Sequence, residues 1–169
     1  MHIISLNKNR GIVLSWFLYI LGTALGFLIN YLIIQSYSFD LDLLIILMFI
    51  TIFIVHELTH FIGYKVICRI NSFDLKFAKD RRLDIPYTRT MVPIDKDKLF
   101  IVLILPGIIT SLMILLANVI TGNVAYSFLL GISLAMSGAD LDVAIQLKKK
   151  QQQLWKSIDN NFGFISESN

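Results

Sequence analysis

The chain has 169 residues, of which 56% are hydrophobic and 16% charged, with a mean hydropathy of +0.70 and a formal net charge of +3. Soluble domains carry about a quarter charged residues, so this composition excludes an ordinary soluble protein and predicts a membrane protein with one compact domain. The single cysteine, Cys68, excludes an internal disulfide, and with so modest a charge we expect no nucleic-acid partner.

Four apolar segments are long enough to cross a bilayer, since roughly 20 residues span its hydrocarbon core. We therefore predict an all-α membrane protein with four transmembrane helices and a short β-hairpin in its central loop. The transmembrane domain is expected over residues 1–150. The tail over 151–169 is expected to be cytoplasmic, and either interfacial or disordered. The four segments lie near residues 11–34, 41–67, 99–120 and 124–147.

The basic residues are distributed unevenly around these segments. Two precede the first segment, nine run from Lys65 to Lys98, and four follow the last segment. The links SYSFD and TGN, between the first and second and between the third and fourth segments, contain no basic residue. The positive-inside rule predicts that both termini and the central loop are cytoplasmic, with Tyr37 and Gly122 outside.

The central loop has a strand-like pattern. SFDLKFA and part of LDIPYTRTMVP alternate apolar and polar residues, with KDRR between them. This pattern predicts a short β-hairpin at the membrane surface, in which Pro86 and Pro93 favour an edge position for the second arm. The alternative is a basic loop attracted to anionic lipid.

The second segment contains FIVHELTHFIGYK, residues 53–65. Histidines four residues apart lie on one helix face, so His56 and His60 can bind one metal ion. Glu57 can then take a proton from a metal-bound water, as in the HExxH motif of zinc metallopeptidases. Coincidence and a polar cluster between helices are the alternatives. Ionisable groups at the centre of a membrane helix cost about 2.5 to 3.5 kcal/mol each, so their presence there indicates function.

A catalytic zinc site needs a third protein ligand. Position 66 is valine, which excludes the extended HExxHxxGxxH motif. Three other candidates are too distant: Cys68 lies about 12 Å along the helix from His60, His2 is terminal, and Glu167 is in the tail. Within the membrane segments SGADLD remains, with Asp140 and Asp142.

These two aspartates point about 200° apart on a helix, so at most one faces the metal. Glu57 and Asp140 each lie eight residues before a lysine, on helices that cross in the same direction. Both therefore lie roughly 12 Å inside the cytoplasmic edge. The pattern of residues on the faces of this helix does not decide which of the two aspartates is the ligand.

HELTH in one membrane helix, with an aspartate in a later one, resembles the site-2 protease family of intramembrane zinc metalloproteases. The SGAD sequence and the LPGIIT of the third segment resemble its small bacterial relatives, the zincin peptidases, over residues 45–147. The larger proteases have Leu-Asp-Gly, whereas here Leu141–Asp142 precedes valine. The small relatives have Ser-Gly-x-Asp, which maps onto Ser137–Asp140 and implies Asp140 as the third zinc ligand, with Asp142 as the alternative.

Together, the motif and the resemblance predict a zinc metalloendopeptidase in which zinc activates a water and Glu57 is the general base. Its substrates would be membrane proteins or peptides with a transmembrane segment, cleaved in or near the lipid bilayer. The unpaired hairpin edge could bind an unwound substrate. A break or kink at Pro106–Gly107 could admit water or substrate, and three polar residues of the third segment could assist catalysis: Thr110, Ser111 and Asn118.

The alternative function is a zinc-binding membrane protein without proteolysis, such as a maturation, immunity or transport accessory. Simple metal binding needs no carboxylate between the two histidines, so Glu57 argues against it.

Overall fold

The computed structural model describes residues 3–5, 7–34, 39, 43–79, 86–158 and 163–166. This part of the chain is mostly helical because a helix satisfies its own backbone hydrogen bonds, as apolar surroundings require. A π-helical stretch, Asn30–Ile34, continues the first helix, and a 3-10 turn, Ser72–Asp74, follows the second. The five α-helices described are α1 (Lys8–Ile29), α2 (Leu43–Val66), α3 (Lys96–Thr121), α4 (Ala125–Met136) and α5 (Gly138–Lys148).

Three helical stretches are long and apolar enough to cross a membrane: Lys8–Ile33, Ile45–Val66 and Lys96–Thr121. Helices α4 and α5 meet the same standard only as a pair, and they are bent by 40° at their junction, Ser137. The single helix expected over 124–147 is therefore two helices. The described residues give three spans, or four if the bent pair is one span. Residues 41 and 42, predicted to begin the second segment, lie outside the described residues.

Helix α3 is delimited by its capping residues. The Asp95 side chain accepts a hydrogen bond from the Asp97 backbone N–H at 3.0 Å, which caps the N-terminus. Gly122 ends the helix with a positive φ of 65°, a conformation that favours glycine. The helix continues through Pro106 without interruption, so of the expected break or kink the break is absent.

The described residues also form six short strands: β1 (Ile3–Ser5), β2 (Leu75–Lys79), β3 (Pro86–Thr90), β4 (Ile94–Asp95), β5 (Leu154–Ser157) and β6 (Gly163–Ser166). The central segment forms the predicted hairpin, with β2 antiparallel to β3 and Phe77 opposite Thr88. Residues 80–85, which join the two arms, lie outside the described residues. The other four strands form an antiparallel sheet in the order β1–β6–β5–β4.

This four-stranded sheet differs from the predicted all-α architecture. Of the two expectations for the C-terminal segment, disorder is wrong for the residues that form β5 and β6. Trp155 and Phe164 explain the difference, because their side chains are only 0% and 2% exposed. Two large buried aromatic side chains supply the apolar contact area that holds these strands in place.

All six strands lie at one end of the helices. Strand β1 precedes α1, the hairpin and β4 connect α2 to α3, and β5 and β6 follow α5. A hydrophobic cluster at this end joins strands to helices, and it includes Tyr64, Leu99, Leu147, Trp155 and Phe164. A second cluster lies further along the helices and includes Ile52, Ile114, Tyr126 and Leu130.

Candidate metal centre

Helix α2 carries the three residues of the HELTH motif on adjacent turns. His56 and His60 are buried, at 4% and 6% exposed, whereas Glu57 is half-buried. The two imidazole rings meet edge to face, with centroids 5.1 Å apart and an angle of 78° between their planes. Both histidines therefore face the same side of α2, as their four-residue spacing requires.

Asp140 reaches the two histidines from α5. Its Oδ2 atom lies 3.0 Å from Nε2 of His56 and 3.3 Å from Nε2 of His60. Asp140 is itself only 5% exposed and belongs to the first turn of α5, just after the bend at Ser137. The bend thus places the Asp140 carboxylate, at the start of α5, beside the two histidines of α2.

These three side chains fit a zinc ion. One potential ligand atom from each lies within 4.8 Å of the others. Tetrahedral zinc with bonds of about 2.0 to 2.2 Å separates its ligand atoms by about 3.3 Å, close to the distances from Oδ2 to the two Nε2 atoms. Two imidazoles and a carboxylate are a set of three ligands that leaves a fourth position open, as in catalytic zinc sites.

The hairpin contacts Glu57. The Thr88 hydroxyl of β3 donates to Oε2 of Glu57 at 3.4 Å, and Thr88 is buried. Nearby, the Phe77 ring of β2 stacks on Phe61 of α2, with centroids 6.1 Å apart and planes 12° apart. The hairpin therefore packs on α2 beside the motif, and it restrains the carboxylate that the sequence predicts as general base.

Asp142 has different partners from Asp140. Its carboxylate forms an ion pair with the Arg10 guanidinium of α1 and accepts hydrogen bonds from the Asn7 backbone N–H at 3.3 Å and from Gln146 Nε2 at 3.0 Å. Asp142 is 1% exposed. The two aspartates thus point to opposite sides of α5, and only Asp140 faces the histidines.

Two polar residues of α3 are hydrogen-bonded to α4. The Ser133 hydroxyl donates to Thr110 Oγ1 at 2.7 Å, and the hydroxyls of Ser111 and Ser133 are 3.2 Å apart. These groups connect α3 to α4.

The remaining candidates are Asn118, Cys68, His2 and Glu167. Asn118 Oδ1 accepts a hydrogen bond from Asn30 Nδ2 at 3.0 Å, which links α3 to α1. Cys68 is not among the residues that converge on the possible metal position. His2 and Glu167 lie outside the described residues.

Sequence reasoning missed Thr88 and Arg10, which contact Glu57 and Asp142. Alternation in YTRT places Thr88 on one face of its strand, but no pattern shows that this face packs on α2. In the sequence, Arg10 contributes only to the positive-inside rule, as one of the basic residues expected in the cytoplasm. The one available signal was that a buried carboxylate in a membrane segment requires a partner.

A family model described as "Putative zincin peptidase" matches residues 49–155, which is more than half of the chain. The matched range contains the HELTH motif and both aspartates, whereas α1 precedes it. Neither the curated proteins nor the solved structures gave a match.

Proposed function

The chain belongs to this family of zincin peptidases, and on that basis we propose that it is an intramembrane zinc metalloprotease of the site-2 type. The observation that carries the proposal is the convergence of His56, His60 and Asp140 beside Glu57. The helix that contributes the histidines is long and apolar enough to cross a membrane. A charged cluster is costly at that depth and is retained there for function.

His56 and His60 would hold zinc through their Nε2 atoms, and Asp140 through its carboxylate. Zinc, when bound, polarises the scissile carbonyl and lowers the pKa of water at the open position. Each of these three residues is buried, so bulk water has little access to their side chains. A dry site strengthens the electrostatic interactions made inside it.

Glu57 carries the proton transfers. It accepts a proton from the attacking water while the water oxygen bonds to the carbonyl carbon. It then donates that proton to the amide nitrogen as the carbon–nitrogen bond breaks. The Thr88 hydroxyl orients one of its carboxylate oxygens for both steps.

The proposed topology has four spans with both termini in the cytoplasm. Basic residues flank only the helix ends at which the strands lie, and the positive-inside rule makes that end cytoplasmic. Glu57 lies eight residues before Lys65, or about 12 Å from the end of α2. Water therefore enters from the cytoplasm, past the hairpin.

The substrate is a membrane-protein or peptide segment that unwinds before cleavage. Strand β3 has β2 on one side, and on the other its Thr90 backbone N–H donates to Ser157 Oγ of β5 at 3.0 Å. The outer edge of β2 pairs with no strand within the described ranges. An extended substrate segment can add to that edge through backbone hydrogen bonds.

The test compares cells that express the wild type with cells that express Glu57→Gln, using labelling of new protein termini in isolated membranes. We expect new termini within or next to transmembrane segments only with the wild type, since the amide of the variant cannot accept the proton. Purified Glu57→Gln should keep its zinc, because Glu57 is not a ligand. His60→Ala is the matched control and should lose both zinc and cleavage.

Glu57→Gln with full biological activity would contradict the protease proposal. That result, with zinc still bound, would support the non-proteolytic zinc-binding protein instead. A wild type that binds no zinc would contradict both functions.

A further inference from the structure

Helix α5 needs an external restraint to hold Asp140 in place. The bend of 40° at Ser137 separates α5 from α4, so the contacts of α5 with other helices help to set its rotation about its own axis. A carboxylate oxygen lies roughly 5 Å from that axis, so a rotation of about 10° moves it by about 1 Å. Metal–ligand distances tolerate only about 0.2 Å.

Buried apolar residues of α5, such as Val143 and Leu147, pack against α3, and a second, polar restraint comes from the N-terminal helix. The Asp142 carboxylate uses both oxygens on groups near the start of α1: Oδ1 pairs with the Arg10 guanidinium, and Oδ2 accepts from the Asn7 N–H at 3.3 Å. Gln146 Nε2 donates to the same Oδ2 at 3.0 Å and to the Ser5 carbonyl at 3.1 Å. Arg10, Asn7 and Ser5 all precede or begin α1, so this network ties α5 to the start of the chain.

A second contact lies one turn earlier on the same face of α5. Gly138 packs so closely on α1 that an added Cβ would lie 2.9 Å from the Ser15 Cα atom. Gly138 and Asp142 are four residues apart and share a helix face, whereas Asp140 faces α2. Two points on one face of α5 are thus fixed to α1, and the opposite face presents Asp140 to the histidines.

We propose that Arg10 is a positioning residue of the metal site, which acts through Asp142 to set the rotation of α5 and thereby the zinc affinity of Asp140 and the two histidines. The inference rests on the proposed zinc site and extends it to α1, which lies outside the family match over residues 49–155. Partners that orient a metal ligand typically change metal affinity by 10- to 100-fold when they are removed.

The experiment measures zinc affinity of the purified full-length protein by competition with a chromogenic chelator. The absorption spectrum of the Co²⁺-loaded protein reports ligand geometry independently. Arg10→Met should bind zinc about tenfold more weakly and alter the Co²⁺ spectrum. Arg10→Lys should recover most of the affinity because it restores the charge opposite Asp142. Lys8→Met, the matched control, removes an exposed charge and should behave like the wild type.

A double variant tests whether Arg10 and Asp142 act through the same interaction. If Arg10 acts through Asp142, Arg10→Met combined with Asp142→Asn should bind zinc no more weakly than the weaker single variant, because both changes remove the same interaction. Independent roles would instead multiply the two losses.

Wild-type zinc affinity and an unchanged Co²⁺ spectrum in Arg10→Met would overturn the proposal. Equal weakening in Lys8→Met would also overturn it, since the effect would then not be specific to the pair that Arg10 forms with Asp142. If Arg10→Met fails to fold, Asp142→Asn decides by the same criteria, because it keeps the shape of the side chain. A wild type that binds neither Zn²⁺ nor Co²⁺ would reject the proposed zinc site itself.

Discussion

Asp140 and Asp142 are two residues apart on α5 and have different electrostatic partners. Oδ2 of Asp140 lies 3.0 Å and 3.3 Å from nitrogen atoms of two imidazoles, whereas Asp142 forms an ion pair with Arg10. Helix geometry predicted that only one of them faces the histidines. It could not say which one, because that depends on where α1 and α2 lie around α5.

Asparagine substitution should separate the two roles. Asp140→Asn removes the carboxylate beside the histidines and should leave the protein zinc-poor and inactive. Asp142→Asn should keep zinc, with the weaker affinity given above, and should retain measurable cleavage. It should also cost about 1 to 3 kcal/mol of stability, the range for loss of a buried polar partner. Zinc content, cleavage and thermal unfolding of both purified variants test this.

The reverse result would make Asp142 the ligand. Normal zinc in both variants would mean that α2 and α5 do not meet as described.

Thr88 offers a test of how Glu57 is oriented. Thr88→Val keeps the shape of the side chain but removes the hydroxyl that donates to Glu57. We expect kcat to fall by about tenfold, which corresponds to about 1.4 kcal/mol, with zinc content unchanged. Thr88→Ser keeps a hydroxyl and should restore most of the rate. Equal rates in Thr88→Val and the wild type would show that the hydrogen bond does not serve catalysis.

At the scale of elements, the sequence predicts what depends on local pattern. The long apolar runs predicted the helices, and alternation predicted the hairpin. The bend at Ser137 was missed, because Gly138 allows a close approach to Ser15 that only the fold reveals. Strands β5 and β6 were missed for the same reason, since their few apolar residues become buried only against distant parts of the chain.

Trp155 tests whether the C-terminal strands are part of the folded protein. Its side chain is fully buried in the cluster that contains Leu99 and Leu147. Trp155→Ala should lower the free energy of unfolding by about 3 to 5 kcal/mol, as for other large core aromatics. Leu154→Ala, at the neighbouring and 36% exposed position, is the control and should cost much less. Equal stability of the two variants would mean that Trp155 is not buried in the folded protein, and would support a disordered C-terminal segment.

At the scale of the whole molecule, the basic residues and the paired strands lie at the same end of the helices. The basic residues lie at one end of the helices, and the sheet brings the first and last described strands together at that same end. Charge counting predicted the side of the membrane. It could not predict that β1 and β6 pair there, because that pairing joins residues about 160 positions apart.

Cysteine labelling in intact cells tests the topology. Phe39→Cys, in the link after α1, and Thr121→Cys, at the last residue of α3, are both exposed and should react with a membrane-impermeant maleimide. Ser72→Cys, exposed beside the hairpin, should react only after permeabilisation. Tyr37 lies outside the described residues, and the positive φ of Gly122 would strain a cysteine there. Labelling of Ser72→Cys in intact cells would contradict the proposed topology, because it would place the hairpin outside the cell.

Cys68 is not a suitable reporter for that test. Burial raises the pKa of its thiol to about 11, so the reactive thiolate is scarce near pH 7 and increases only as the pH approaches that value. Slow labelling of Cys68 would therefore occur on either side of the membrane.

Zinc-edge X-ray absorption of the purified protein tests the central claim most directly. The account predicts one zinc per chain, with imidazole nitrogens and a carboxylate oxygen at about 2.0 to 2.2 Å. It also predicts the same protein ligands in Glu57→Gln, which should be inactive. A sulfur ligand at about 2.3 Å, which only Cys68 or a methionine could supply, would contradict it, as would a zinc bound without imidazole.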